Sequence, residues 1–437
     1  MFRMADNAWG NICERVDACA LTGAAAFAAG IPGAEALANG PLWCYFYALR
    51  YLEHVEYSIA ERFHGSQPDN NAVVYGSEKC LLETLQRLLA RKRLPELLLI
   101  EGSCSMSLIG DDLNGIARKA QLPFPFVTMD CGGMIGGFAE GYAKASIKIL
   151  DAVADGNVRA EKNTVNILGM TPFYLNGAAD CEEICRLLRL SGCRIQAAVG
   201  CGGTVEELRQ AGRAALNIVT NEELGLPLAE YLQRRFGTPY VLAGLPYGVE
   251  GTLAWLERIR CAWSGLQMEA VRNEAEALQS YLTSWINETH SLWGSLWFDR
   301  AVVSAPPTAA LCLAQALRSE WADMGSLTVL CQRRLPKSAP AAYCDAADAV
   351  YTAGVEQDKM SACFADDGQS LLLLGSSSEG SLLYRQKHSH FLNCNIAFPA
   401  NDEIFLLPHP FTGLNGSRYM LQRLWNGYIS KKLQEIR

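Results

Sequence analysis

Apolar and polar residues alternate along this chain in blocks that repeat a strand-then-helix rhythm. The clearest block is Leu97 to Ile116, LLLIEGSCSMSLIGDDLNGI. Four consecutive apolar residues, Leu97 to Ile100, predict a buried strand. The break at Gly102-Ser103 leaves Cys104 just past its carboxyl end. A second turn follows at Gly110, and Asp111-Asp112 stand where a helix would start, one as cap and one complementing the dipole. Before this block, Val73-Val74-Tyr75 reads as a short strand, Ser77 as a cap, and Leu81 to Leu89 as an amphipathic helix. After it, Phe124 to Thr128 reads as a strand that ends at Asp130-Cys131-Gly132-Gly133, with a helix from Gly136 to Ile149.

The rhythm continues with strands Val165–Gly169, Arg194–Val199, Ala215–Val219 and Tyr240–Ala243. Helices Cys181–Leu190, Thr204–Gln210 and Leu224–Phe236 lie between them, and a further helix follows Gly248. A helical stretch from about Arg258 to Leu292 leads to strand candidates Ala301–Ser304, Leu327–Cys331 and Leu371–Leu374, and a final helix covers about Gly416 to Leu433. Regular alternation of this kind means α/β architecture with mostly parallel sheets. Residues 1 to about 70 carry no clear strand pattern. The Ala/Gly-rich run Ala18 to Ala38 contains Pro32 and Glu35 and reads as buried loop and short helix, not a membrane span.

Composition narrows the function classes. The chain has 437 residues, enough for about two to four domains. Half the residues are hydrophobic and 19% are charged, so large cores can form. A formal net charge of -8 argues against nucleic acid or an anionic membrane as a partner. The opening MFRMADNAWGNICERVD carries three acids and no apolar run, so no export signal is expected. Sixteen cysteines in a chain kept in the cytoplasm imply reduced thiols, some with metal or redox chemistry. No phosphate-loop motif GxxxxGK[ST] occurs, and Gly200-Cys201-Gly202-Gly203 lacks the full dinucleotide fingerprint, so it reads as a tight strand-to-helix turn.

Iron–sulfur clusters take thiolates from loops that converge on one dry pocket. CxxC pairs are absent; Cys181 and Cys185 are four apart on a predicted helix, one expected in the core and one facing a neighbour. Widely spaced single cysteines at loop or helix starts are the alternative, and Cys19, Cys44 and Cys104 have that form. Cys19, GPLWC ending in Cys44, and Cys104-SMSLIGDD ending in Asp112 resemble the nitrogenase component 1 family, which includes nitrogenase molybdenum-iron protein subunits, their cofactor-assembly homologues and the dark-operative protochlorophyllide reductase. Tyr75-Gly-Ser-Glu-Lys79, Cys131 to Tyr142 (CGGMIGGFAEGY), Val165 to Gly169, Leu216 to Val219, Gly375 to Glu379 and Gly413 to Gly416 are similar to further turns and strands of that family, in order along nearly the whole chain.

The resemblance implies three Rossmann-like domains, here taken as residues 1–160, 161–295 and 296–437. It implies a P-cluster-like or 4Fe–4S cluster shared at a subunit interface, with Cys19, Cys44 and Cys104 as ligands and Cys131 as a further candidate. Cys13 lies outside the matched pattern and Cys80 on a helix. Implied partners are an identical or homologous component 1 subunit, an ATP-dependent iron–sulfur reductase and a small-molecule substrate. The implied activity is that of an oxidoreductase component, with a non-catalytic scaffold for metallocofactor assembly as the alternative. In the nitrogen-fixing homologue, one cysteine and one histidine anchor the large metal cofactor. The matching positions here hold Thr220 or Asn221 and the turn Phe411-Thr412-Gly413, with His409 out of register, so no molybdenum-type cofactor is expected. Thr220, Asn221 and His409 then become candidate wall groups of a substrate cavity. His388 and His390, two apart, read as surface or loop residues.

Overall fold

The computed structural model describes residues 18–435 except 54, 56, 133–134, 334–344 and 353–356. Cys13 lies outside the described residues. The apolar run at Leu97 forms β3 (Leu97–Gly102), buried at all six positions. It is central in a four-stranded, fully parallel sheet of order β2-β1-β3-β4, with β1 at Ala34–Asn39, β2 at Phe63–Gly65 and β4 at Phe126–Asp130. A second parallel sheet has the order β6-β5-β7-β8: β5 is Thr164–Leu168, β6 Arg194–Ala198, β7 Leu216–Val219 and β8 Tyr240–Leu242. A third, five-stranded and parallel, has the order β11-β10-β9-β12-β13: β9 is Trp297–Ala305, β10 Asp323–Cys331, β11 Ala349–Thr352, β12 Leu371–Gly375 and β13 Phe391–Asn395. The expected α/β architecture of parallel, Rossmann-like sheets is thus present.

By packing, the described chain forms two compact units. The first comprises Ala18–Phe173 with Arg194–Leu242 and holds the first two sheets; the second comprises Tyr174–Cys193 with the chain from Ala243 onward and holds the third.

In the first unit, helix α1 (Ala20–Ala29) is buried at every position. The Ala/Gly composition has a packing reason. A Cβ on Gly23 would lie 1.9 Å from Phe138 O, and one on Gly141 would lie 1.9 Å from Ala20 O, so α1 crosses the later helix Phe138–Val153 backbone to backbone. Only glycine permits that approach. The run continues into β1, AEALAN, which the sequence pattern does not reveal: without β-branched or aromatic residues, an all-buried alanine strand has no strand signal. The helix Phe138–Val153 also packs on the helix Glu222–Phe236 of the second sheet. There Arg235 donates to the carbonyls of Leu150, Asp151 and Ala154, closing that helix's carboxyl end. The loop Gly200–Gly203 is a packing turn, as read: Gly202 N donates to Gly30 O, and a Cβ on Gly200 would meet the Tyr142 hydroxyl at 2.3 Å.

Three expectations are corrected. Val73–Tyr75 is not a strand but part of a one-turn helix, Ala72–Tyr75, whose first amide is capped by Asp69. Val74 and Tyr75 face outward, so no sheet face selects their β propensity. The stretch from Arg258 to Leu292 is two helices, Val249–Ala262 and Glu269–Trp293, broken where Trp263 turns extended. Cys181 and Cys185 are both buried, on the helix Gly177–Leu190.

In the second unit, that helix is tied to the last one, Gly413–Glu435, through the turn before it. Asp180 Oδ1 accepts from Phe411 N (2.7 Å), Thr412 N (2.8 Å) and the Thr412 hydroxyl (3.0 Å). Burial pushes the Asp180 carboxyl up to about 6 despite these donors. Glu183 accepts from Asn415, and Arg186 bridges Glu183 to Glu274. Among the described residues no helix is long and apolar enough to cross a membrane.

Candidate functional site

Three strand ends of the first sheet lie level. Asn39 of β1 pairs with Gly102 of β3, and Gly102 pairs with Asp130 of β4. Each strand delivers a cysteine just beyond its carboxyl end, where α/β sheets gather ligands. After β1, Gly40-Pro41 leads into the helix Leu42–Glu53, which carries Cys44. After β3, Ser103 stands at the N-cap position of a short helix, Cys104–Ile109, whose first residue is Cys104. After β4 comes Cys131, its amide bonded to Gly102 O at 2.8 Å. The fourth thiol, Cys19, is the N-cap of α1 and pairs in an antiparallel bridge with Gly137, the N-cap of the helix Phe138–Val153.

Glycines let these turns close on one another. A Cβ on Gly40 would sit 2.5 Å from Ser103 Cβ and 3.7 Å from Cys44 Cβ, and one on Gly132 would sit 3.5 Å from Cys104 Cα. The thiols feel each other electrostatically. Burial pushes the Cys44 thiol up, and the fields of Cys19 and Cys104 push it further. Cys19 and Cys104 are exposed and Cys44 is half-buried.

Cys131 is different. It is 1% exposed and its Sγ lies 3.6 Å from Glu101 Oε2. Burial raises both groups well above their usual ranges, and the field of Cys19 adds to each. Glu101 Oε1 is buried without a hydrogen-bond partner. An acid inside LLLIEG was the available signal for this residue, which motif spacing alone passes over.

The Gly-Asp-Asp segment acts as a brace beside the thiols. Gly110 takes φ +81°, which suits glycine. Asp111 accepts from the Ser77 amide and hydroxyl, so Ser77 is held by Asp111 and makes no side-chain cap of its own helix. Ser77 in turn accepts from Asn39 Nδ2 at 2.7 Å, and Asn39 Oδ1 accepts from Ser66 at 2.7 Å. Asp112 caps the next helix, Leu113–Lys119, through Gly115 N at 2.9 Å. Asn39, fully buried at a strand end, is the other residue that motif spacing misses.

Around the thiols the surface is apolar. Leu42, Trp43, Phe46 and Tyr47 are exposed on the helix that carries Cys44, and Leu108 is 81% exposed on the helix that starts at Cys104. Trp43 stacks on Tyr47 and meets Phe46 edge-on, each with centroids 5.9 Å apart. Val74 and Tyr75 extend the patch from the helix packed against Cys104–Ile109.

The other candidate residues do not form one site within a unit. Thr220 and Asn221 follow β7 in the first unit, both buried; Thr220 Oγ1 donates to Leu168 O (2.9 Å) and Asn221 Nδ2 to Gly169 O (2.8 Å). His409 belongs to the second unit, exposed, its ring 4.9 Å from that of Tyr419. His388, expected at the surface or in a loop, is buried in that unit with both ring nitrogens lacking a partner. Among the described residues, no three His, Cys, Asp or Glu side chains close on one point as a single metal ion requires.

Comparison with known proteins bears on the family and the fold. The B component of the light-independent protochlorophyllide reductase from Leptolyngbya boryana is 25% identical over 391 residues, 82% of this chain and 72% of that protein. The corresponding B components from Zygnema circumcarinatum (28% over 208 residues) and Nostoc punctiforme (27% over 247 residues) match 44% and 54% of this chain. Those matches span only 39% and 46% of the two relatives' own lengths. A solved structure of nitrogenase Cp1 at pH 6.5 superposes with a TM-score of 0.79 at 17% identity, covering 100% of this chain and 96% of that one, which establishes the shared fold. The profile of the family described as nitrogenase component 1 type oxidoreductase matches residues 19–428, beginning at the first of the clustered thiols. The chain therefore belongs to the nitrogenase component 1 type oxidoreductase family.

Proposed function

We propose that this chain is one component of a nitrogenase-like reductase in which Cys19, Cys44 and Cys104 hold an iron–sulfur cluster against a second, identical or homologous subunit. The convergence of Cys44 and Cys104, which follow the level ends of β1 and β3, with Cys19 at the start of α1, beside an exposed aromatic patch, carries the reading. A bound cluster would supply one-electron transfer. The chain's own part is to fix three thiolates on helix starts and strand ends braced by Asn39, Ser77 and Asp111, and to offer an apolar rim that a partner covers. Electrons would come from a separate ATP-dependent iron–sulfur reductase, consistent with the lack of a phosphate loop. Relatives named for protochlorophyllide reduction favour an organic substrate over dinitrogen.

Anchoring of a large metal cofactor finds no support at the matched positions. The Thr220 hydroxyl and Asn221 Nδ2 bond backbone carbonyls, and the Thr412 hydroxyl bonds Asp180. Hydroxyl and carboxamide are poor replacements for thiolate and imidazole. Protein purified anaerobically should therefore contain iron and acid-labile sulfide without stoichiometric molybdenum or vanadium. With a reductase and ATP it should form no ammonia from dinitrogen. Protein without iron overturns the cluster; molybdenum retained through gel filtration overturns the exclusion. Electron consumption with substrate separates an enzyme from an assembly scaffold, which would instead release its cluster to an acceptor.

Cys131 stands behind the open thiols, its Sγ against Glu101. Cys131→Ala should keep iron near the wild-type content. A ligand role would appear as an altered electron paramagnetic resonance spectrum in at least one oxidation state, and identical spectra in all of them reject it.

A further inference from the structure

The second unit contains a cavity of about 180 Å³ that the cluster reading does not use. It lies between the helix Val249–Ala262, here α2, and the helix Pro307–Ala316, here α3. Leu245, Tyr247, Trp255 and Cys312 line it, are all buried and form its apolar floor, while Gln315 and Ser319, both exposed, add polar groups to the lining. The Trp255 indole N–H is spent on Gly244 O at 2.9 Å, and Leu245 N on Cys312 Sγ at 3.5 Å. The floor thus offers hydrophobic surface, not these polar groups.

Small residues keep the space open. Gly251 lines the cavity, and a Cβ built there would meet nothing nearer than Glu320 Oε1 at 4.0 Å. Beyond α3 the backbone changes to a π-helical turn, Leu317–Trp321, a local form frequent at functional sites. That turn carries Glu320 across to the start of α2, where its carboxylate accepts from Val249 N (2.6 Å) and Gly251 N (3.1 Å). The anion-attracting helix start is therefore already served by the protein itself, and it is not the ligand's anchor.

Charge at the cavity comes from α2. Arg258 and Glu250 both line it, two turns apart on one helix face. One Arg258 N–H donates to Ala243 O, which holds the guanidinium in place. A guanidinium over an apolar floor selects a carboxylate on a hydrophobic body. Glu250 at the other end opposes a second negative charge. A cavity of roughly 150 Å³ accommodates benzene, so this one suits a body of that size with one small polar group.

We propose that this cavity binds a small aromatic or branched monocarboxylate, with Arg258 on the carboxylate and Trp255 and Tyr247 against the hydrophobic body. The site involves none of the cluster residues, so it stands or falls apart from the cluster reading. Calorimetric titration of the intact, as-purified protein with benzoate and with isovalerate tests it, benzamide serving as the uncharged counterpart of benzoate. At least one of the two acids should bind, and if it is benzoate, about ten-fold or more tighter than benzamide. Gly251→Val should weaken binding of the acid about ten-fold or more at unchanged melting temperature, because it fills the cavity without meeting backbone. Arg258→Met should erase the preference for the charged ligand. Failure of both acids to bind, benzamide binding as well as benzoate, or full affinity in a folded Gly251→Val protein overturns the proposal. The comparison of ligands on the wild-type protein decides the matter even if Arg258→Met does not fold.

Discussion

Replacing Cys104 by Ala should cut anaerobically bound iron to about a tenth of the wild-type content or less. Cys104 is the first residue of its helix, follows the central strand β3, and is exposed beside Cys19 and Cys44. Cys131, the next thiol along the strand ends, is buried against Glu101. Loss of an outer hydrogen-bonding partner alone typically costs 10–100-fold in metal affinity, so losing a direct thiolate costs at least about ten-fold. The fold should survive, because the side chain is small and exposed and the brace at Asn39, Ser77 and Asp111 does not involve it. Iron and sulfide assays with visible absorbance check the result, and the melting temperature checks the fold. Cys80→Ala, half-buried on the helix Glu78–Leu89, is the matched control and should keep its iron. Wild-type iron in Cys104→Ala would remove Cys104 from the ligand set.

Much of this site was legible in the sequence because its chemistry sits at punctuation. Gly40-Pro41, Gly102-Ser103 and Gly110-Asp111-Asp112 are turns by composition alone, and each stands next to a thiol or holds the turn beside one. The parallel sheets followed from strand–helix alternation, since strands buried on both faces read as continuous apolar runs. What stayed hidden lacked a local signal. β1, AEALAN, holds no β-branched or aromatic residue and so carries no strand propensity. Val73–Tyr75 carried strand propensity with no sheet to join, and Asp69 turned it into helix. β11 and β13 were not read at all; they are short edge strands of the third sheet, and edge positions impose less continuous burial. Asn39 and Glu101 matter through partners distant in sequence, Ser66, Ser77 and Cys131, and no spacing rule connects those positions. Exposure of the aromatic residues after Cys44 was equally out of reach: the run from Tyr45 has a helix-like, aromatic texture, but which face lacks a partner depends on the rest of the unit.

That exposed face leads to the second large effect. Trp43→Glu combined with Leu108→Glu should convert the cluster-bearing assembly to monomers at micromolar concentration and strip most of its iron. Three thiols from one chain leave a cluster open to water on the side where Cys19 and Cys104 are exposed, so a partner has to close it. Trp43, at 63% exposure, and Tyr47, at 67%, stack together on the helix that bears Cys44. Aromatic side chains bury about 150–250 Å² each and dominate interface energetics, and truncating a central Trp or Tyr commonly costs about 2–4 kcal/mol. That loss is roughly thirty- to a thousand-fold in dissociation constant, before the cost of placing a carboxylate in an apolar contact. Both residues are mostly solvated in the isolated chain, so the melting temperature of the variant monomer should stay close to that of iron-free wild type. Anaerobic sedimentation with iron analysis of each species is the measurement. Leu406→Glu is the control: Leu406 is 86% exposed but lies in the other unit, on a loop without a clustered thiol, and should change neither mass nor iron. A wild-type protein that carries its cluster as a monomer, or a double variant that sediments like wild type, would show that the aromatic face is not what closes the site.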